Sequence, residues 1–301
     1  MCQHQRRLWL SVAALGATLC AVPAVAQIPS TDIWLAELRV VGKSVQVGKP
    51  EHVTIRTGYE SQPYFLPDSR GFLYTRGDSN GTDIYRYDRV ARRSVELTHT
   101  SESEYSPTPL YHQNGAFCTV RVESDSTQRL WRFDADGSRP TLLLAAVDSV
   151  GYFTFLDPKT VALFVLGTPP TLRIVDVESE RETLVASDIG RALYRIPRSD
   201  LLSFVIHDAG TDPPTYTFFA WKADGIPLER LIPARGTGQD AMWIDDVLVM
   251  ADGGKLYGAR PAVGPGWLEI ADFEAYGITG ITRVVASPDH HWIAFVAAES
   301  P

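Results

Sequence analysis

The chain has 301 residues, with 28 lysines and arginines against 36 aspartates and glutamates and a net charge of −8. That acidic balance counts against nucleic acid and anionic lipid as partners, because both reward a basic surface. Three cysteines, Cys2, Cys20 and Cys118, offer no disulfide framework, so stability must come from a buried core, which a chain of this length can supply.

Arg6 and Arg7 precede an apolar stretch over 8–22, then Pro23 and the small-x-small box Ala24-Val25-Ala26. This is the pattern of a secretory signal peptide over 1–26 cut before Gln27, so the mature chain, 27–301, is expected to be periplasmic or secreted. The stretch is about 15 residues, short of the roughly 20 that a spanning helix needs, and no transmembrane span is expected in the mature chain. Leu19 is too bulky for the small residue that lipid attachment at Cys20 would want. Cleavage removes Arg6 and Arg7 and no acid, leaving 26 basic against 36 acidic residues, a net charge of −10.

The next segment, TDIWLAEL over 31–38, alternates as a strand does and shares its first three residues with TDIYRYD over 82–88. Either 45–47 or 53–55 would supply a strand outside it. A repeat then begins. SQPYFLPDSRGFLYTR (61–76), TDIYRYD and a short apolar stretch ending at Leu97-Thr98 are answered by SPTPLYHQNGAFCTVR (106–121), QRLWRFD (128–134) and an apolar stretch over 142–144. Each copy holds four short β-type segments at a spacing of about 45 residues, the signature of a propeller blade. Weaker copies follow, with segments 153–156, 161–166, 172–177 and 183–185, then 193–196, 201–206, 216–221 and 228–232, then 242–244, 247–250, 256–259 and 267–270. A sixth start, 282–286 followed by SPDHHWIAFVA, supplies two strands and no more.

The predicted fold is therefore all-β: a six-bladed β-propeller of four-stranded blades, occupying 27–301. Its last blade is shared, with the outer pair of strands coming from the beginning of the mature chain and the inner pair from its end. Such closure removes the open sheet edges that invite aggregation. A β-sandwich also uses many short strands, but it does not explain matched half-units at the two ends. The composition of 178–188 suits a helix, yet its place in the repeat predicts a hairpin.

LPDSRGFLY (66–74) and SPDHHWIAF (287–295) resemble the WD40-like repeat of TolB-type propellers, in which an S-P-D-G-type turn joins the first two strands of a blade. Leu97-Thr98-His99-Thr100 followed by Tyr105-Ser106-Pro107 is similar to that family's blade-to-blade connection. The boxes stand in units one, two and six, and elsewhere the resemblance rests on spacing. It implies a bare propeller of this superfamily, without the α/β domain that precedes it in TolB and without the hydrolase domain of prolyl-oligopeptidase-like relatives. Physical reasons fit the boxes as well. Pro67 and Pro288 preset φ for a turn, Asp68 and Asp289 can accept from backbone N–H groups two residues on, and Gly71 and Gly115 suit tight hairpins.

Motifs for chemistry are weak. Gly77-Asp78-Ser79-Asn80-Gly81 satisfies G-x-S-x-G but lies between two strands, whereas a nucleophile elbow needs a following helix. The run 236–241 imitates G-x-G-x-x-A, yet a strand follows it where pyrophosphate binding needs a helix. His290 and His291 point apart and lack further zinc ligands. Cys118 reads as a small buried hydrophobe. Asn80-Gly81-Thr82 is a formal glycosylation sequon. No catalytic residue, no metal ligand and no cofactor is assigned on these grounds.

A surface remains. With strands A to D in each blade, the D–A and B–C loops share one face, and they are longer and chemically richer than the A–B and C–D hairpins. Candidate binding residues on that face are Tyr59, Glu60, Gln62, Glu104, Tyr105, Arg191, Asp240 and Arg283. The expected function is a non-catalytic, exported module that binds a protein or peptide partner there. The alternative is a small-ligand binder or calcium-dependent hydrolase at the mouth of the central channel, drawing on Glu60, Glu104 and Asp240, although calcium wants six to eight oxygens.

Overall fold

The computed structural model describes residues 30–111, 113–223, 227–264 and 266–298. The expected signal peptide over 1–26 lies outside the described residues. Their regular structure is all strand apart from one 3-10 turn, Glu274–Tyr276.

Unit one is Tyr59–Phe65, Gly71–Asp78, Gly81–Asp88 and Arg93–Glu96, strands A to D of an antiparallel meander. Unit two is Ser103–Pro109, Phe117–Val122, Gln128–Phe133 and Thr141–Leu142. Unit three is Val150–Asp157, Thr160–Val165, Thr171–Asp176 and Glu182–Ser187, so the helix-prone composition of 178–188 yields to the hairpin. Unit four is Ile189–Arg195, Leu202–His207, Tyr216–Trp221 and Glu229–Pro233. Unit five is Ala241–Ile244, Val247–Asp252, Lys255–Ala259 and Leu268–Asp272.

The latest and earliest described strands share a sheet. Arg283–Ala286 pairs with Trp292–Ala298, which pairs antiparallel with Thr31–Val41 from Thr31↔Ala298 to Glu37↔Trp292. Ser44–Val47 lies outside Thr31–Val41 and makes the fourth strand, in register from Leu38↔Val47. The other candidate for that place, 53–55, is not a strand; Glu51–His52 makes a short pairing with Trp34 and Leu35 instead. A strands of successive units touch one another in cyclic order, unit one to two and onward to Arg283–Ala286, which touches Tyr59–Phe65 again.

Burial explains the sequence of each B strand. Gly71–Asp78, Phe117–Val122, Thr160–Val165 and Val247–Asp252 are buried along nearly their whole length. A strand covered on both faces gains from apolar side chains at every position, so it reads as a continuous apolar run. Outer strands are covered on fewer sides, and Leu184 stays 61% exposed. Aromatic stacks fill the space between strands, as in Phe117 on Phe133 at 5.4 Å and Phe273 on Phe295 at 4.8 Å. Cys118 is buried, as expected of a small hydrophobe, and burial pushes its thiol upward.

Gly71 is needed for a reason other than turn conformation. A Cβ there would stand 1.9 Å from the carbonyl oxygen of Tyr87 on the neighbouring strand. Gly115 does take the left-handed conformation, at φ +80.

Candidate functional site at the channel mouth

The A strands of units one and two each carry a bulge. Gln62 and Ser106 take positive φ of 57 and 54, and the pairing register shifts between Ser61 and Tyr64 and between Tyr105 and Thr108. Pro63 and Pro107 follow, and neither can donate to a ladder. A bulge bends its strand and re-aims the side chains beside it. Gln62 then ties the two units together, its side-chain oxygen accepting from Thr75 Oγ1 at 3.0 Å and from the Ser106 N–H at 2.8 Å.

All six A strands line a central channel of about 750 Å³. At the end where these strands begin, on the side of the D–A and B–C loops, charged groups converge. Arg283 Nη1 donates to Asp240 Oδ2 at 2.6 Å, and its Nη2 donates to the Tyr152 hydroxyl at 3.0 Å. Arg191 Nε reaches the same carboxylate at 3.1 and 3.2 Å. Two guanidiniums thus share one carboxylate. Burial works against the charge of Arg283, but Asp240 and the surrounding phenols hold it firmly protonated. The Arg191 backbone N–H donates to Gln239 Oε1 at 2.9 Å, and Gln239 in turn donates to the Tyr216 hydroxyl, also at 2.9 Å.

Tyrosines surround this bridge. Tyr59 and Tyr105 meet edge to face at 6.5 Å, and Tyr59 lies within electrostatic reach of Arg283 and Tyr152. Burial raises the Tyr59 phenol, partly offset by a hydrogen bond with Ser61. Tyr194, deeper in, is raised by burial first and by the Asp240 charge second. The Tyr59 and Tyr194 phenols therefore stay protonated and able to donate.

Of the eight residues chosen from sequence, the structure brings Arg191, Asp240 and Arg283 together at the mouth. Tyr59 stands within electrostatic reach of Arg283 and meets Tyr105, which packs against the core of units two and three, and neither tyrosine lines the channel. Gln62 lines the channel, but its oxygen is occupied. Glu60 and Glu104 are not on the loop face at all: both are 0% exposed, which corrects their assignment as surface binding residues. Each is the carboxylate of a buried pair at the equivalent place in its unit. Glu60 faces Arg76 at 2.7 Å, under the Tyr85 ring. Glu104 accepts from Thr100 at 2.7 Å and Thr98 at 3.2 Å and faces Arg121 at 3.2 Å, which lies over Trp131. Burial pushes Glu104 up to about 7. Glu60 and Glu104 each already face an arginine, and neither lines the channel.

Sequence reading missed Tyr152, Tyr194 and Gln239. Tyrosine on an alternating strand looks like core, and no spacing signals that units three and four turn theirs toward the axis. It also missed Asp83, Glu96 and His99, whose ligand atoms lie within 4.8 Å of one another on unit one, away from the channel lining. The G-x-S-x-G run is a hairpin turn in which Asp78 Oδ1 accepts from the Asn80 N–H at 2.7 Å. His290 lines the channel near its other end, and His291 is exposed beside Asp289.

No family model matches the sequence, and no curated protein matches it. Solved structures do. TolB from Acinetobacter baumannii superposes with a TM-score of 0.58 at 11% identity; the match covers 89% of this chain, which spans only 64% of that one. A putative TolB from Agrobacterium tumefaciens gives 0.67 at 14% identity, covering 90% of this chain and 99% of that one. A chain of a nidogen/laminin complex gives 0.61 at 14%, covering 90% and 100%. An oligogalacturonate lyase in complex with manganese gives 0.54 at 13%, covering 84% and 80%. At these identities the likeness is one of architecture, and its content agrees with the strand pairing: the chain has a TolB-like β-propeller fold.

Proposed function

We propose that this chain is an exported binding module, a closed ring of six blades that docks a protein or peptide at its channel mouth. The observation that carries the reading is the Arg191–Asp240–Arg283 bridge with Tyr152, set where a channel lined by every A strand opens. Cyclic contact among the A strands supports six blades and their closure, and the pattern over 1–26 supports export. No described helix is long and apolar enough to cross a membrane. Arginine and tyrosine, the residues gathered at the mouth, are those that carry most binding energy at protein interfaces. The nidogen/laminin neighbour, a chain from a protein–protein complex, supports the same reading.

The lyase neighbour, with its manganese, supports the competing reading of metal-assisted chemistry. The donor set at the mouth favours binding. Guanidiniums are donors only and phenols that stay protonated are poor cation ligands, and hard cations want several carboxylate or carbonyl oxygens. Among the described residues, the cluster able to offer three ligands, Asp83, Glu96 and His99, stands outside the channel lining.

The test is capture. Tagged protein is cross-linked in envelope extract beside a variant carrying Tyr152→Phe, Arg191→Ala and Asp240→Ala. A partner held by the wild type and lost by the variant is the expected result. Identical captures from both would remove the mouth as the binding site. Manganese or calcium should leave the melting temperature unmoved; a rise of several degrees would favour the competing reading.

A further inference from the structure

The channel is cationic in an acidic protein. Its charged lining consists of Arg191, Arg195, Arg198 and Arg283 against Asp157 and Asp240, with His290, while the chain as a whole carries −8. At the mouth one carboxylate answers two guanidiniums, leaving one positive charge in excess. At the other end Arg198 is answered by Asp245 at 2.8 Å, but Arg195 donates to the Ser199 carbonyl at 3.3 Å and has no carboxylate in ion-pair range among the described residues. Asp157 stands at the same end and accepts from the Lys159 N–H at 2.8 Å, a neutral donor that leaves its formal charge uncompensated. Arg191, which shares its carboxylate with Arg283, and Arg195, which has no carboxylate within ion-pair range among the described residues, thus stand four residues apart on one A strand, Ile189–Arg195. Four residues of regular strand would span about 13 Å, and the register shift between Ile189 and Leu193 overlaps that span.

We propose that the channel selects an acidic peptide segment, lying extended along Ile189–Arg195, whose carboxylates engage Arg191 with Arg283 at the mouth and Arg195 at the far end. This deepens the binding reading above and rests on it. An extended peptide repeats at about the same rise as the strand it follows, so carboxylates at positions i and i+4 match both cations. The lining also includes the half-buried rings of Tyr64, Tyr152 and Tyr194, apolar faces that the side chains of a peptide can meet. The phenol of Tyr194 stands within electrostatic reach of Arg191, Arg283 and Asp240 on one side and Tyr64 on the other, and it can donate to a chain passing between.

The experiment uses the protein purified after export from its expression host and follows the fluorescence anisotropy of labelled peptides. The probe is Asp-Leu-Ser-Val-Asp flanked by glycine and serine; the control replaces both aspartates by asparagine. Losing charge-assisted hydrogen bonds should weaken the control by about tenfold or more. Arg195→Gln, at an exposed position where folding is not at risk, should weaken the acidic probe by about tenfold and leave the control unchanged. Moving the second aspartate to i+2 should cost affinity as well. Equal binding of probe and control, or an acidic probe indifferent to Arg195→Gln, would overturn the proposal. A galacturonate oligomer binding more tightly than the peptide would also overturn it, in favour of an acidic sugar. If envelope capture depends on the mouth residues but the acidic probe does not compete with it, the binding reading stands and this one falls. If neither occurs, both fall.

Discussion

Glu104 shows what a single buried carboxyl does to the molecule. It is 0% exposed, and its pKa is pushed up to about 7 from an ordinary 4.5, burial outweighing Thr100 and Arg121. A raised folded pKa means that the folded state holds the proton more tightly than the unfolded one between those two values. Stability contributed by this proton is therefore full below about 4.5 and lost as pH rises through 7, at up to about 1.4 kcal/mol per pH unit. Burial also raises Glu60, and it raises Asp83, so other groups tilt the curve the same way. The difference between wild type and Glu104→Gln isolates this one. Urea midpoints measured from pH 5 to 8 should fall less steeply in the variant, which cannot lose the proton. Parallel curves would show that Glu104 stays ionised against Arg121 throughout.

At the scale of the strand, what could be read from sequence follows how each strand is covered. B strands are buried on both faces, and their continuous apolar runs placed segments such as 161–166 and 247–250 within a residue or two of the observed bounds. The 216–221 segment matches the observed Tyr216–Trp221. A strands were read less well. The third and fourth were expected to begin at 153 and 193 but begin at Val150 and Ile189, because register shifts break the alternation near their starts. The candidate site shares this limit. Arg191, Asp240 and Arg283 stand out as charges where A strands begin, whereas Glu60 and Glu104 look alike in sequence and are interior. Nothing local announces that an arginine on the adjacent B strand takes each of them inward. The bulge at Gln62 is likewise silent in the pattern, yet it joins two units. Replacing Gln62 by alanine removes both its bonds and leaves the Ser106 N–H without an acceptor, at a cost of roughly 1–3 kcal/mol. Chemical denaturation of Gln62→Ala checks this. A change within about 0.5 kcal/mol, the range of ordinary surface substitutions, would mean that water replaces the amide.

For the whole molecule, the strand Thr31–Val41 decides whether the earliest residues are an appendage or part of the core. Ile33, Leu35, Ala36 and Leu38 are each at most 2% exposed, and the strand lies between Trp292–Ala298 and Ser44–Val47. Without it, Trp292–Ala298 would present an open edge with unpaired backbone groups, the usual template for aggregation. Thr31 also fastens the strand to the next unit, its N–H donating to the Gly58 carbonyl and its hydroxyl to the Glu60 carbonyl, both at 3.0 Å. A fold held this way should open as a unit. Leu35→Ala should then cost about 2–5 kcal/mol, as large-to-small changes in a packed core do. Leu184→Ala, on an exposed outer strand, should fall within about 0.5 kcal/mol of wild type. Hydrogen exchange separates the two pictures. If closure is cooperative, amides of Thr31–Val41 are protected as strongly as those of Gly71–Asp78, and Leu35→Ala lowers both together. If the early strand frays on its own, its amides exchange first and the substitution leaves Gly71–Asp78 untouched, because local openings draw only on local contacts.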